Sequence, residues 1–223
     1  KLHRLEAENE DLRTTLRDRF RFENIIGLSP AMQSLFDVLK KIAPTDATVL
    51  VTGESGTGKE LIAKAIHYNS PRRAQRLVTV NCAAIPRELL ESELFGHVRG
   101  AFTDASSDRL GFIETARGGT PFLDEVREMS EELQVKLLRL LENEEYRRLG
   151  ESSVRKADVR VISATNRDLK KEADRGNFRL DLYYRVPPLR LTIPPLRMRT
   201  SDIQLMVRHF LRDCAQMNGI ADR

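Results

Sequence analysis

Short apolar runs alternate along the chain with stretches whose apolar positions recur every three or four residues. TVLVT at 48–52, LVTVN at 77–81, TPFLD at 120–124, VRVISATN at 159–166 and LRLTI at 189–193 read as strands. Between them ELIAKAIHYN, PRELLESELF and SEELQVKLLRLLEN are amphipathic at helical spacing. Ser29-Pro30 starts a further helix, an N-cap serine followed by proline at the first helical position, and leads into AMQSLFDVLKKIA. Strands alternating with helices predict an α/β fold, a parallel sheet covered on both faces. Neither repeats nor low-complexity segments interrupt this order.

Residues 1–21 follow a different rule. Leu2, Leu5, Leu12 and Leu16 fall on one seam if Leu2 takes heptad position a, with Asn9 at the next a position. In a parallel pair Lys1 then faces Glu6 of the partner and Glu8 faces Arg13, so both flanking contacts attract. The segment is expected to be a helical linker that pairs as a dimeric coiled coil. The seam is shorter than three to four heptads, so a lone solvated helix stays open as the alternative.

Composition narrows the class without changing it. Hydrophobic residues make up 40% and charged residues 31%, which suits a globular domain with a charged surface. The apolar runs are too short to span a bilayer, and the two cysteines, Cys82 and Cys214, have no metal-ligand or redox spacing. A cytoplasmic protein with reduced thiols and no membrane partner is expected. The net charge of +4 is too small and too dispersed to single out a nucleic-acid surface.

The chemistry starts after the first strand, at Gly53-Glu54-Ser55-Gly56-Thr57-Gly58-Lys59-Glu60. A GxxxxGK spacing with a strand before it and a helix after it is a phosphate-binding loop. Its glycines let backbone N–H groups turn inward on an anion, the helix N-terminus adds positive potential, and Lys59 reaches the terminal phosphates of ATP. Glu60 stands where a serine or threonine would ligate Mg²⁺, so the ion must rely on phosphate oxygens, water and another carboxylate. TPFLDE supplies it: Asp124 is the expected metal-holding residue, and Glu125 the residue that polarises the attacking water. Asn166, at the tip of the fourth strand in ATN, is placed to sense the γ-phosphate. A stretch outside any periodicity remains, Gly100-Ala101-Phe102-Thr103-Asp104-Ala105, with an aromatic ring that no helix or strand pattern buries.

Together these residues give the chain a resemblance to the central ATPase domain of the sigma-54-dependent transcriptional activators, the NtrC-type enhancer-binding proteins of the AAA+ superfamily. ENIIGLSPAM, GESGTGKE, VNCAAIP, ESELFGH, GAFTDA, GGTPFLDE, LLRLLE, ATNRDL, FRLDLYYR and IPPLRMR carry it, from about Phe22 to Met217. The resemblance implies a P-loop AAA+ fold with a five-stranded sheet of order 5-1-4-3-2. It makes Glu60 a family feature. It also implies that Asn81 holds the Walker B glutamate Glu125 in a switchable, inactive pose, since the strand ending at Asn81 neighbours the one ending at Glu125. Arg179 and Arg185 match arginines offered in trans to the neighbouring subunit's nucleotide. GAFTDA falls where the family has GAFTGA, the tip of a loop inserted in a helix that touches sigma-54. Phe102 is then exposed for contact, while Asp104 replaces a glycine able to adopt positive φ and adds charge at the contact point. Pro121 and Arg127 are further departures, the latter at a position often occupied by glycine.

The expected organisation is a linker over 1–21, an AAA+ α/β subdomain over 22–198, and the start of a truncated helical lid over 199–223. The expected function is an ATP-hydrolysing module that assembles into a hexameric or heptameric ring and remodels the sigma-54 RNA polymerase holoenzyme, with DNA bound only through a further C-terminal domain. The alternative is a nucleotide-dependent assembly or DNA-bound regulator that Asp104 has disconnected from sigma-54.

Overall fold

The computed structural model describes residues 14, 15, 18, 20, 22–185 and 189–218. The leucine and asparagine positions of the coiled-coil seam lie outside the described residues.

Five strands form the central sheet: β1 (Val49–Thr52), β2 (Leu77–Asn81), β5 (Thr120–Asp124), β8 (Ile162–Thr165) and β9 (Leu189–Thr192). They run parallel in the order β2-β5-β8-β1-β9. Counted within this sheet alone, that is the 5-1-4-3-2 order expected from the sequence. Strand alternation divides the core in two. Val49 and Val51 of β1 pack on one face with helices α1 (Pro30–Ile42) and α2 (Lys59–Tyr68). Leu50 points to the other face, with α3 (Arg87–Phe95), α5 (Glu131–Asn143) and α7 (Leu180–Arg185).

Two hairpins escaped the periodicity because each strand is two residues long. β3 (Gly96–His97) and β4 (Arg109–Leu110) pair antiparallel between α3 and the short α4 (Phe112–Thr115), with GAFTDA between them. Gly96 has φ +78°, and a Cβ on Gly111 would collide with the Gly96 backbone, so the base of this insertion requires both glycines. β6 (Glu145–Tyr146) and β7 (Arg155–Lys156) make the second hairpin. The short α6 (Leu169–Asp174) follows β8.

Side chains seat the remaining elements. Ser29 caps α1 through its hydroxyl to Met32 N–H. The buried Asp202 of α8 (Ser201–Met217) accepts from Leu28 N–H, Ser29 N–H and the Ser29 hydroxyl at 2.7–2.8 Å, tying the last helix to the start of the first. At the other end of α1, the buried Arg160 donates to the carbonyls of Ile42, Ala43 and Ala47. Arg160 belongs to the run read as strand from 159, but β8 begins only at Ile162, and just before it the Arg160 side chain caps a helix. Pro121, which lacks an N–H, sits where β5 pairs only with β2; pairing with β8 starts at Phe122.

Candidate nucleotide-binding site

β1 delivers the chain into the phosphate loop, and α2 begins at Lys59. Gly56 and Gly58 have φ of 78° and 96°, left-handed conformations that only glycine adopts cheaply, and they turn the loop so that it opens at a helix N-terminus. The Lys59 amine is buried. It donates to Gly53 O at 3.2 Å and Glu54 O at 3.5 Å, and lies 3.6 Å from the Glu125 carboxylate.

Glu125 follows the end of β5 with φ 52° and ψ 50°. A glutamate in the left-handed region is strained, and its surroundings show what holds it there. Its Oε1 faces Lys59 and its Oε2 accepts from Asn166 N–H at 3.2 Å, while its own N–H donates to Asp124 Oδ1 at 3.0 Å. The strand tips of β5 and β8 thus bring the expected catalytic residue, the expected sensor and the phosphate-loop lysine together. Burial, then the neighbouring Glu125 charge, pushes the Asp124 carboxyl pKa up.

A desolvated carboxylate beside a second carboxylate at the mouth of a phosphate loop fits a divalent cation. Among the described residues no group of three or more His, Cys, Asp or Glu side chains forms a metal cage. A Mg²⁺ ion, which keeps waters and binds through one or two carboxylates plus substrate phosphates, needs no such cage. The Glu60 carboxylate pairs with Lys64 at 2.7 Å on the exposed side of α2.

Asn81 departs from the expectation. It lies opposite Asp124 in register, but its side-chain oxygen accepts from Ala83 N–H at 2.9 Å and closes a local turn. The restraint on Glu125 here comes from Lys59 and Asn166. Arg179 and Arg185 are equally absent from the phosphate loop of their own chain among the described contacts. Arg179 pairs with Asp181 at 2.7 Å and Glu131 at 3.4 Å, and Arg185 donates to Leu141 O at 3.0 and 3.3 Å.

Two features were not legible in advance. Glu54, expected only as a loop position, makes a two-pronged pair with Arg197 at 2.7 and 2.5 Å, joining the phosphate loop to the turn before α8. Beside Gly56–Gly58 lies a cleft of about 540 Å³ whose lining includes Ile25, Ile26, Ile193, Met206 and Phe210. Those residues come from three separate segments, and only folding gathers them into a largely apolar slot with room for a purine base.

The GAFTDA segment is folded onto the domain. Gly100 N–H donates to Ala105 O and Ala105 N–H to Phe102 O, while Ala105 is buried. Phe102 is 39% exposed, and its ring meets His97 edge-on with centroids 4.9 Å apart. So the ring is exposed, as expected, yet not free. Asp104 is exposed, and the only non-glycine residues with positive φ among those described are Glu125 and Glu144. The anticipated backbone conflict at Asp104 is therefore absent in this conformation.

Residues 25–192 match the family described as the Sigma-54 interaction domain. Nitrogen fixation protein AnfA of Azotobacter vinelandii is 51% identical over 216 residues, which cover 97% of this chain and 40% of that protein. The Nif-specific regulatory protein of Herbaspirillum seropedicae is 51% identical over 207 residues, 93% of this chain and 38% of its own length. Among solved structures, NtrX from Brucella abortus in complex with ATP superposes with a TM-score of 0.82 at 39% identity, covering 89% of this chain and 43% of that one. The chain thus spans about 40% of the length of the curated relatives it matches. Among the described residues no helix is long and apolar enough to cross a membrane. With this sheet order, this phosphate loop and a family match over most of its length, the chain belongs to the sigma-54-dependent transcriptional activators, of which it spans the central AAA+ domain.

Proposed function

We propose that this domain binds and hydrolyses Mg-ATP in a ring of identical subunits and uses the cycle to remodel sigma-54 RNA polymerase through GAFTDA. The observation that carries the reading is the Glu125 carboxylate, held between the Lys59 amine and Asn166 N–H at the lip of the phosphate loop. That B. abortus NtrX was solved with ATP supports the nucleotide.

The phosphates lie along the N–H groups of Gly53–Lys59, and the purine enters the Ile25–Phe210 cleft. Phosphate draws the Lys59 amine off Glu125, which frees that carboxylate to orient water and take its proton. Asp124, with phosphate oxygens and water, would hold Mg²⁺, which when bound would neutralise charge developing on the phosphates. Asn166 reports whether the γ-phosphate is in place. Arg179 and Arg185, exposed or half-exposed on the α5–α7 surface, serve the neighbouring subunit. An arginine acting in trans is worth roughly 10³–10⁵ in rate. Asn81 keeps its proposed part as a restraint on Glu125 only if it leaves Ala83 during the cycle.

The alternative, a regulator disconnected from sigma-54, draws no support from the backbone at Asp104 and rests on its charge alone. In the full-length protein, Lys59→Ala is expected to lose ATP binding by calorimetry with the fold intact. Glu125→Gln is expected to bind ATP but not turn it over. Arg185→Ala is expected to bind ATP and lose most turnover, and wild-type specific activity is expected to rise with protein concentration. Unchanged ATP affinity in Lys59→Ala, or specific activity independent of concentration, would discard the nucleotide site or the trans arginines respectively.

A further inference from the structure

Gln134, near the start of α5, is 2% exposed and uses both ends of its amide. Its Nε2 donates to Met129 O at 3.0 Å, and its Oε1 accepts from Arg179 N–H at 2.8 Å. A flipped amide would oppose carbonyl to carbonyl and N–H to N–H, so these two neighbours fix its orientation.

The two ends belong to different parts of the proposed machinery. Met129 closes the 3-10 turn that leaves Glu125: Glu128 N–H donates to Glu125 O at 3.0 Å, and Met129 N–H to Val126 O at 3.3 Å. Arg179 opens the segment that enters α7. A second strut runs alongside. Arg127, in the same turn, donates to Glu172 Oε2 at 3.1 Å. The carboxylate of Glu172 also accepts from Asn177 Nδ2 at 3.1 Å, and Asn177 N–H donates to Glu172 O at 2.9 Å. Asn177 is two residues before Arg179.

Filling this interior with apolar side chains would avoid desolvating an amide and a carboxylate. What the polar groups add is a defined relative position, because each bond fails if either segment shifts by an ångström or so. Glu125 is the strained end of the turn that carries Arg127 and closes at Met129, so a change in its engagement with Lys59 is passed along the turn from which both struts leave.

We propose that Gln134, seconded by the Arg127–Glu172 pair, is a positioning residue that ties the turn after Glu125 to the backbone of Arg179, so that each subunit's own nucleotide site sets the arginine it offers to the next. This rests on the trans role given to Arg179 above. The link runs within one subunit, and its effect falls on the neighbour's ATP.

The test uses the full-length protein. Gln134→Glu keeps an acceptor for Arg179 N–H but loses the donor to Met129. It is expected to bind ATP with unchanged affinity and KM while kcat falls roughly two- to thirtyfold, the range for residues carrying coupling between sites. Arg127→Gly, which removes the second strut near the surface, is expected to lower kcat less and keeps the test open if Gln134→Glu folds poorly. Mixed rings provide the deciding readout. Arg179→Ala subunits keep their own nucleotide site but offer no arginine, so if Gln134→Glu fails only in the arginine it offers, rings mixed from the two should turn over at no more than the weighted mean of the pure rings. Mixed turnover above that mean would show that Gln134→Glu subunits offer a competent arginine, which would place the effect in the subunit's own site and overturn the proposal. So would a loss of thermal stability with kcat unchanged in both variants. An Arg179→Ala control with wild-type turnover would remove the reading on which the proposal stands, and the proposal with it, whereas failure of the proposal alone leaves that control inactive.

Discussion

The imidazole of His97 lies between the domain and the loop tip: its Nδ1 shares a 2.7 Å hydrogen bond with the Ser92 hydroxyl of α3, and its ring meets Phe102 edge-on. Backbone hairpin bonds alone do not position an aromatic ring; this relay from α3 through His97 does. An aromatic contact of this kind adds about 0.5–1.5 kcal/mol beyond burial. His97→Ala is therefore expected to loosen GAFTDA. Amide exchange at Gly100 and Ala105 should accelerate, and the amides of β1 and β8 should keep their protection. Equal protection of the loop in both proteins would show that His97 does not hold Phe102.

Asp104→Gly is expected to leave the domain's thermal stability and ATPase nearly unchanged. Asp104 is exposed, its backbone has no left-handed strain for glycine to relieve, and its carboxylate is remote in sequence from Lys59 and Glu125. Uncoupled sites of this kind shift each other by a few tenths of a kcal/mol, so turnover should stay within about twofold. Promoter opening with sigma-54 polymerase should change, because the substitution removes a charge at the contact. A change confined to ATPase would mean that the segment communicates with the catalytic residues by another route.

His67 gives the domain a defined response to acid. It is fully buried, shares a 2.9 Å hydrogen bond with the Thr120 hydroxyl, and burial pushes its pKa down from 6.5 to about 4. As pH falls through 6.5 the unfolded chain takes up a proton that the folded chain refuses until about pH 4. Stability is thus undiminished by this group above pH 6.5 and declines through that window, by about 3 kcal/mol in all. Urea unfolding of the wild type between pH 7 and pH 4, set against His67→Gln, should show a shallower decline in the variant. Parallel curves would assign the acid sensitivity elsewhere.

Arg160 is expected to matter for stability and not for chemistry. Its guanidinium is buried and satisfies carbonyls at the C-terminal end of α1 and in the loop that follows. Arg160→Met fills similar space but leaves those acceptors without a donor, at about 3 kcal/mol. Chemical denaturation should show that loss, while ATP affinity per folded molecule stays unchanged. A stability within error of wild type would mean that water replaces the guanidinium.

Local patterns determined the sheet and the residues of the phosphate site. Alternation within β1, the serine cap of α1, and the glycines of the phosphate loop depend on neighbours in sequence, so they were legible there. The grouping of Lys59, Asp124, Glu125 and Asn166 followed because a parallel sheet brings the ends of its strands to one edge. Tertiary structure decided where long polar side chains go. Asn81 bonds to Ala83 instead of Glu125, Arg160 caps a helix from within an apolar run, and Glu54 reaches Arg197 across 143 positions. The apolar cleft beside the phosphate loop and the half-covered ring of Phe102 are of the same kind. A hydrogen bond or ring contact of a few ångströms depends on which distant backbone arrives at that spot. Periodicity fixes the face on which a residue lies, but not the partner it meets there.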